Sequence, residues 1–212
     1  FSQDEIRVEA RGSFNAQKVI LALPPKLWQE TIRFSPELPA SVSQLASETQ
    51  TWMEESIKVG VIYDKPFWRQ NNHSGTLFSN VGPMTELYDH CNREVSTFAL
   101  CGFLHSQYRS LPLAERKNRV IQQLVSSFGK EASDFLDYLE LDWSAEAHTS
   151  GTLSRPLFPH QNNGNEIYQN SLFDDRLFFA GTEASPHHGG YMEGAVYNSM
   201  QVFATILRTI KR

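Results

Sequence analysis

The residues with the most chemical promise lie between Leu177 and Val196. They read Leu177-Phe-Phe-Ala-Gly-Thr-Glu183, then Ala-Ser-Pro-His-His-Gly-Gly190, then Tyr-Met-Glu-Gly-Ala-Val196. The apolar run closed by Gly181 predicts a buried strand. A glycine-punctuated loop follows, and 192–210 predicts a long helix. In open α/β sheets, ligands bind beyond the carboxyl ends of the strands. A helix N-terminus offers unpaired N–H groups and the positive end of a dipole. Gly189 and Gly190 carry no side chain, so a flat ring could approach the backbone there. Glu193 in the first turn, and Arg208, Lys211 and Arg212 at the end, suit the helix dipole. The same pattern also describes a plain strand–loop–helix connection with no ligand.

Other polar residues carry less. His187 and His188 are adjacent, so their side chains diverge, and they lack the spacing of a metal pair. Glu54-Glu55 and Asp174-Asp175 read as solvated acidic pairs. Ser150 and Ser154 have no His–Asp partner at a recognisable spacing, which argues against a hydrolase.

The elements that must position the Leu177–Val196 stretch are legible in outline. Residues 6–10 alternate apolar and polar, as a half-buried strand does, and Arg11-Gly-Ser13 is a turn signal. Residues 19–23 are wholly apolar and stop at Pro24-Pro25, the reading of a strand buried on both faces of a parallel sheet. A helix is expected over 41–52. Strands are expected over 57–63, 76–78, 84–88, 95–104 and 138–143, and their short spacing suggests an antiparallel sheet. Residues 113–128 form an amphipathic helix with Gly129 as its stop. The Pro-, Asn- and Gln-rich stretch 155–172 reads as a long loop, a kind that is often functional.

Composition bounds the partners. Of 212 residues, 40% are hydrophobic and 12% aromatic, enough for one large core or two small ones. A net charge of -5 without a basic stripe argues against nucleic acid, and no apolar run is long enough to span a bilayer. Cys91 and Cys101 are too few for a disulfide scaffold. They read as thiols of an intracellular protein, with a single bridge still open. The chain starts at Phe1, inside an alternating pattern, which suggests a piece of a longer protein. The compartment is not fixed by the sequence, although the cysteine usage favours the cytoplasm.

Several motifs together resemble one family. Ala180-Gly-Thr-Glu183 followed by Gly190-Tyr-Met-Glu-Gly-Ala-Val196 resembles the C-terminal FAD motif of the flavin-containing amine oxidases, the monoamine oxidase family. Val19-Ile-Leu-Ala-Leu-Pro-Pro25 resembles its buried strand and double proline. Lys58, in Ile57-Lys-Val-Gly-Val-Ile-Tyr63, resembles its lysine strand. Asp142-Trp143 and Thr149-Ser-Gly-Thr152 resemble its tryptophan and flavin-proximal loop. The resemblance covers nearly the whole chain, and the motifs follow in the same order.

The resemblance implies a fold, a cofactor and residue roles. The fold is α/β (α+β): part of a Rossmann-like FAD/NAD(P)-binding domain over 1–47 and 148–212, and an antiparallel-sheet substrate domain with helices over 48–147. Gly181, Thr182 and Glu183 would lie along the pyrophosphate and ribityl chain of FAD. Near Gly190 and Met192, helix N–H groups would face the flavin C2 carbonyl, where negative charge gathers on reduction. Lys58 would reach flavin N5 through a water and assist the oxygen half-reaction. Trp143 would pack beside the flavin. Tyr191 would form one wall of an aromatic cage that orients an amine. Taken alone, Lys58 reads as a solvated strand lysine, Trp143 as a core residue and Tyr191 as an interfacial tyrosine.

Three departures qualify this. Thr152 stands where monoamine oxidases carry the flavin-linking cysteine, so FAD would be noncovalent. Leu153 stands where the second cage wall is usually aromatic, which leaves the amine itself open. No Gly-x-Gly-x-x-Gly occurs in the chain, and in such folds that turn holds the pyrophosphate. The expected function is therefore the C-terminal part of an FAD-dependent amine oxidase that takes an amine and O2. By itself the chain is expected to be inactive, to hold no FAD tightly and to self-associate. The alternative is a flavin-domain relic that serves as a binding or assembly module.

Overall fold

A computed structural model describes residues 5–94, 96–149, 151 and 157–210. The chain divides into two compact units, Phe1–Trp52 with Ala147–Arg212, and Met53–Glu146.

In the first unit, β1 (Ile6–Glu9) pairs antiparallel with β2 (Ser13–Ala16) across the expected turn. Strand β3 is Val19–Leu21, and it pairs in parallel with the later strand Leu177–Phe179. The expectation of a strand buried on both faces fails for β3, because Ile20 is 47% exposed and Leu23 is 46% exposed. Among the described residues this sheet has two strands, and one face of β3 lacks a covering layer.

Pro24-Pro25 ends the strand as expected but also opens a helix that the sequence reading missed. Helix α1 (Pro25–Thr31) has Pro25 in its first turn, where a missing N–H costs nothing. It buries Trp28, which stacks on Phe179 at 5.4 Å between centroids. Helix α2 (Ala40–Ser47) is shorter than expected. Past Ser47, the Thr49 hydroxyl turns back to the Leu45 carbonyl and meets the Tyr168 hydroxyl at 2.6 Å, and the Gln50 N–H donates to the Gln161 carbonyl. These bonds replace the helical ladder. Trp28, Val42, Ala46, Tyr168, Leu177 and Phe179 share one core.

The second unit is built on a five-stranded antiparallel sheet. Its strands are β4 (Ile57–Tyr63), β5 (Leu77–Phe78), β6 (Met84–Asp89), β7 (Phe98–Leu104) and β8 (Asp137–Asp142), in the order β5-β6-β7-β4-β8. Strand β7 starts later than expected. Asn92 holds the Ser96 and Thr97 N–H groups in a turn just before it, and Val95 lies outside the described residues. A one-turn helix, α3 (Phe67–Gln70), follows β4 and buries Trp68. Helix α4 (Leu113–Phe128) ends at Gly129 as expected. Its Val120, Leu124 and Phe128, spaced one turn apart, pack with Val59, Val61 and Leu100. Each fully buried side chain of this kind contributes roughly 1.5–3 kcal/mol. Glu54 is 1% exposed, so the reading of Glu54-Glu55 as a solvated pair is wrong for Glu54. Cys91 and Cys101 are free.

Strand β9 (Leu177–Phe179) is buried throughout. The last helix, α5 (Met192–Ile210), closes the first unit. Among the described residues no helix is long and apolar enough to cross a membrane.

Candidate functional site

The turn between β9 and α5 is fixed by hydrogen bonds at each step. The Ala180 N–H donates to the Leu21 carbonyl and continues the pairing of β9 with β3. Gly181 has φ +129, a conformation that only glycine adopts without strain. Its N–H donates to Asn198 Oδ1 at 3.2 Å, and the Asn198 amide lies 3.5 Å from the Ala184 carbonyl. Asn198 is 1% exposed, so a polar side chain buried in α5 latches the helix to the loop it follows. The Glu183 carbonyl accepts the Gly164 N–H at 2.7 Å, and Gln169 Nε2 donates to the Ala184 carbonyl at 2.5 Å.

The helix start is equally defined. The Thr182 hydroxyl donates to the Tyr191 carbonyl at 2.7 Å, and the Tyr191 N–H donates to the His188 carbonyl. Gly190, at φ +86, reverses the chain just before Tyr191. Glu193 lies in the first turn. Tyr191 and Met192 are exposed at this end. Glu183 is buried, and burial raises its pKa, with its own backbone N–H and the nearby Thr51 hydroxyl opposing the shift.

Two aromatic groups join Tyr191. His160 stacks on Trp52 at 4.2 Å between centroids, and the Tyr191 ring lies 5.7 Å from His160 and 6.2 Å from Trp52. The sequence reading marked the 155–172 stretch as a functional kind of loop but singled out neither ring. Asn198 was missed as well, since nothing in a helix pattern distinguishes a latch from a solvated asparagine.

In the second unit, Lys58 is exposed on β4, between Phe103 of β7 and Leu141 of β8. Its neighbours Ile57 and Val59 are buried, so Lys58 points away from the α4 side of the sheet. Trp143 is not in the strand, as 138–143 had implied. It opens a short 3-10 turn, and its N–H donates to the Ser56 carbonyl at 3.0 Å. Asp142 shapes this turn by accepting from the Ser144 N–H and hydroxyl and from Arg109 Nε at 2.8 Å. Burial pushes the Asp142 pKa up, but these donors outweigh it and the net shift is downward.

Lys58 and Trp143 therefore sit at one end of one sheet, and Gly181, Thr182, Glu183, Gly190, Tyr191 and Met192 line one turn. Thr152 and Leu153 lie outside the described residues. Among the described residues no cluster of three or more His, Cys, Asp or Glu side chains is arranged to hold a metal ion.

A model of the family described as flavin containing amine oxidoreductase matches residues 2–202. The chain belongs to that family. It is 32% identical over 193 residues to the flavin-containing amine oxidase B of Homo sapiens, covering 86% of this chain and 36% of that protein. It superposes on the cyclohexylamine oxidase of Brevibacterium oxydans with a TM-score of 0.84 at 26% identity, over 100% of this chain and 47% of that one. Putrescine oxidase bound to putrescine gives a TM-score of 0.82 at 26% identity, over 98% and 47%. The chain thus spans less than half the length of these relatives.

Proposed function

We propose that this chain is the C-terminal part of an FAD-dependent oxidoreductase that oxidises an amine and passes the electrons to O2. The observation that carries the reading is the turn from β9 to α5, held by the Asn198 latch and ending in an open helix start. Its chemistry suits a flavin. Tyr191 and Met192 leave the helix end accessible, and the N-terminal dipole favours a carbonyl that gains negative charge. FAD, when bound, accepts the hydride equivalent from the amine carbon.

In this reading, residues 1–47 and 148–212 serve the cofactor and 48–147 the substrate. Gly181, Thr182 and Glu183 run beside the phosphates and ribityl chain. Gly190 and Met192 border the flavin ring, and Tyr191 offers its ring to the amine. Trp143 packs at the flavin edge, and Lys58 holds a water for the oxygen half-reaction. Thr152 has no thiolate, so the cofactor is held without a covalent bond. The relatives named for cyclohexylamine and putrescine make a cyclic monoamine and a short diamine the first substrates to try.

The test is a flavin spectrum of the whole polypeptide that carries this chain. Anaerobic addition of an amine from a panel including cyclohexylamine and putrescine should bleach the flavin, and air should restore it. Acid precipitation should release all of the flavin. A polypeptide that holds flavin but is bleached by no amine would defeat the amine reading. One that binds no flavin would favour a binding or assembly module without turnover.

A further inference from the structure

Tyr191 is the ring set beside the amine in the reading above, and aromatic side chains from two other parts of the chain hold it. The His160 imidazole lies 5.7 Å from the Tyr191 ring at an interplanar angle of 26°. The Trp52 indole stacks on the same imidazole at 4.2 Å and 16°. Trp52 itself is 6.2 Å from Tyr191. The three ring centroids form a triangle in which His160 lies against both other rings and Trp52 also borders Tyr191.

The backbone is shaped to keep it there. His160 adopts φ +59, in the left-handed region that most residues avoid. Its N–H donates to Gln50 Oε1 at 3.0 Å, and Asn163 Nδ2 lies 3.5 Å from its Nδ1. Gly190, next to Tyr191, lies against the imidazole. A Cβ there would come within 2.7 Å of two ring atoms and 3.0 Å of the Trp52 Cβ. The close approach needs glycine on one side and a left-handed residue on the other.

Tyr191 is 54% exposed. A tyrosine so exposed at a helix start, with no packing partner, would sample several rotamers. The stack removes that freedom on one face and leaves the rest of the ring open. We propose that His160, backed by Trp52, is a positioning residue that fixes the Tyr191 ring for the amine. This rests on the reading of Tyr191 as a substrate wall. His160 does not touch the reacting atoms and acts through Tyr191.

Two readouts on the whole flavin-loaded enzyme test it. Fluorine NMR of fluorotyrosine-labelled protein reports the ring directly, with the Tyr191 signal assigned by Tyr191→Phe. His160→Ala should move that signal and raise the amine KM about threefold to tenfold, the range expected from losing one ring pair, with flavin content unchanged. His160→Phe should restore both, because it keeps a ring in the stack. If His160→Ala does not hold flavin, His160→Leu fills the space without a ring and takes its place. An unmoved Tyr191 signal, or a Phe variant no better than the Ala or Leu variant, would overturn the proposal. A Tyr191→Ala enzyme with unchanged amine KM would instead remove Tyr191 from the substrate site, and the fluorine signal would still decide whether His160 holds its ring.

Discussion

The Thr182 hydroxyl donates to the Tyr191 carbonyl at 2.7 Å, so the loop leaving β9 is tied to the residue that opens α5. Tyr191 also receives the Ala195 N–H at the same carbonyl. Thr182→Val keeps the shape and removes the donor. It should lower stability by about 0.5–1 kcal/mol, the lower part of the range for one hydrogen bond, because the pair is exposed. Urea unfolding at neutral pH measures this. A midpoint equal to that of the unaltered protein would mean that the bond contributes nothing to the loop.

Gly194 gives a prediction against helix propensity. Alanine in place of an exposed helical glycine usually stabilises by about 1 kcal/mol. Gly194 is buried, however, and a Cβ there would run into the His188 carbonyl oxygen. Gly194→Ala should therefore destabilise by about 1–3 kcal/mol, as overpacking does. It should also loosen the turn before α5. A thermal midpoint that rises would show that the loop yields without cost.

Glu183 should make stability depend on pH. Burial raises its folded pKa above the unfolded value. The associated stability is then fully present below the unfolded pKa and is lost as pH rises through the folded pKa. Glu183→Gln cannot ionise. It should be more stable than the unaltered protein at neutral pH, with the difference shrinking towards about pH 4, near the ordinary value for glutamate. Denaturant midpoints across pH decide it. A variant less stable at every pH would mean that the ionised carboxylate has a compensating partner.

Lys58 is exposed on the face of β4 opposite the α4 packing. In the whole enzyme, Lys58→Met should slow reoxidation of the flavin by oxygen more than it slows reduction by amine. Stopped-flow measurement of the two half-reactions separates them. Equal oxidative rates would remove Lys58 from the mechanism.

Helix α5 presents Met192, Val196, Met200, Phe203, Leu207 and Ile210 to solvent. Their spacing of three and four residues makes one continuous apolar stripe. An exposed stripe of this extent favours association. The 212-residue chain by itself should therefore form dimers or larger species at high concentration and carry no tightly held FAD. Phe203→Lys should shift it towards monomer. Sedimentation velocity reads both. A monomer at high concentration, or one that keeps flavin through gel filtration, would contradict this.

Much of this protein was determined by its sequence alone. The buried run Leu177–Phe179, the amphipathic 113–128 helix with its Gly129 stop, and the alternation of 57–63 follow from periodicity, which is a local property of the chain. The motif from Ala180 to Val196 marked the family because it is contiguous. What the sequence did not determine depends on which distant residues meet. Helix α1 was hidden because Pro25 reads equally as a strand stop and a helix start, and only packing of Trp28 on Phe179 separates the two. Ile20 looked like core, but its burial requires a covering layer that no residue of β3 supplies. The Asn198 latch and the stack of Trp52, His160 and Tyr191 join segments far apart in the chain. Such contacts leave no periodic trace, because hydrogen-bond geometry and ring stacking are set by approach in space, and only the tertiary structure fixes that.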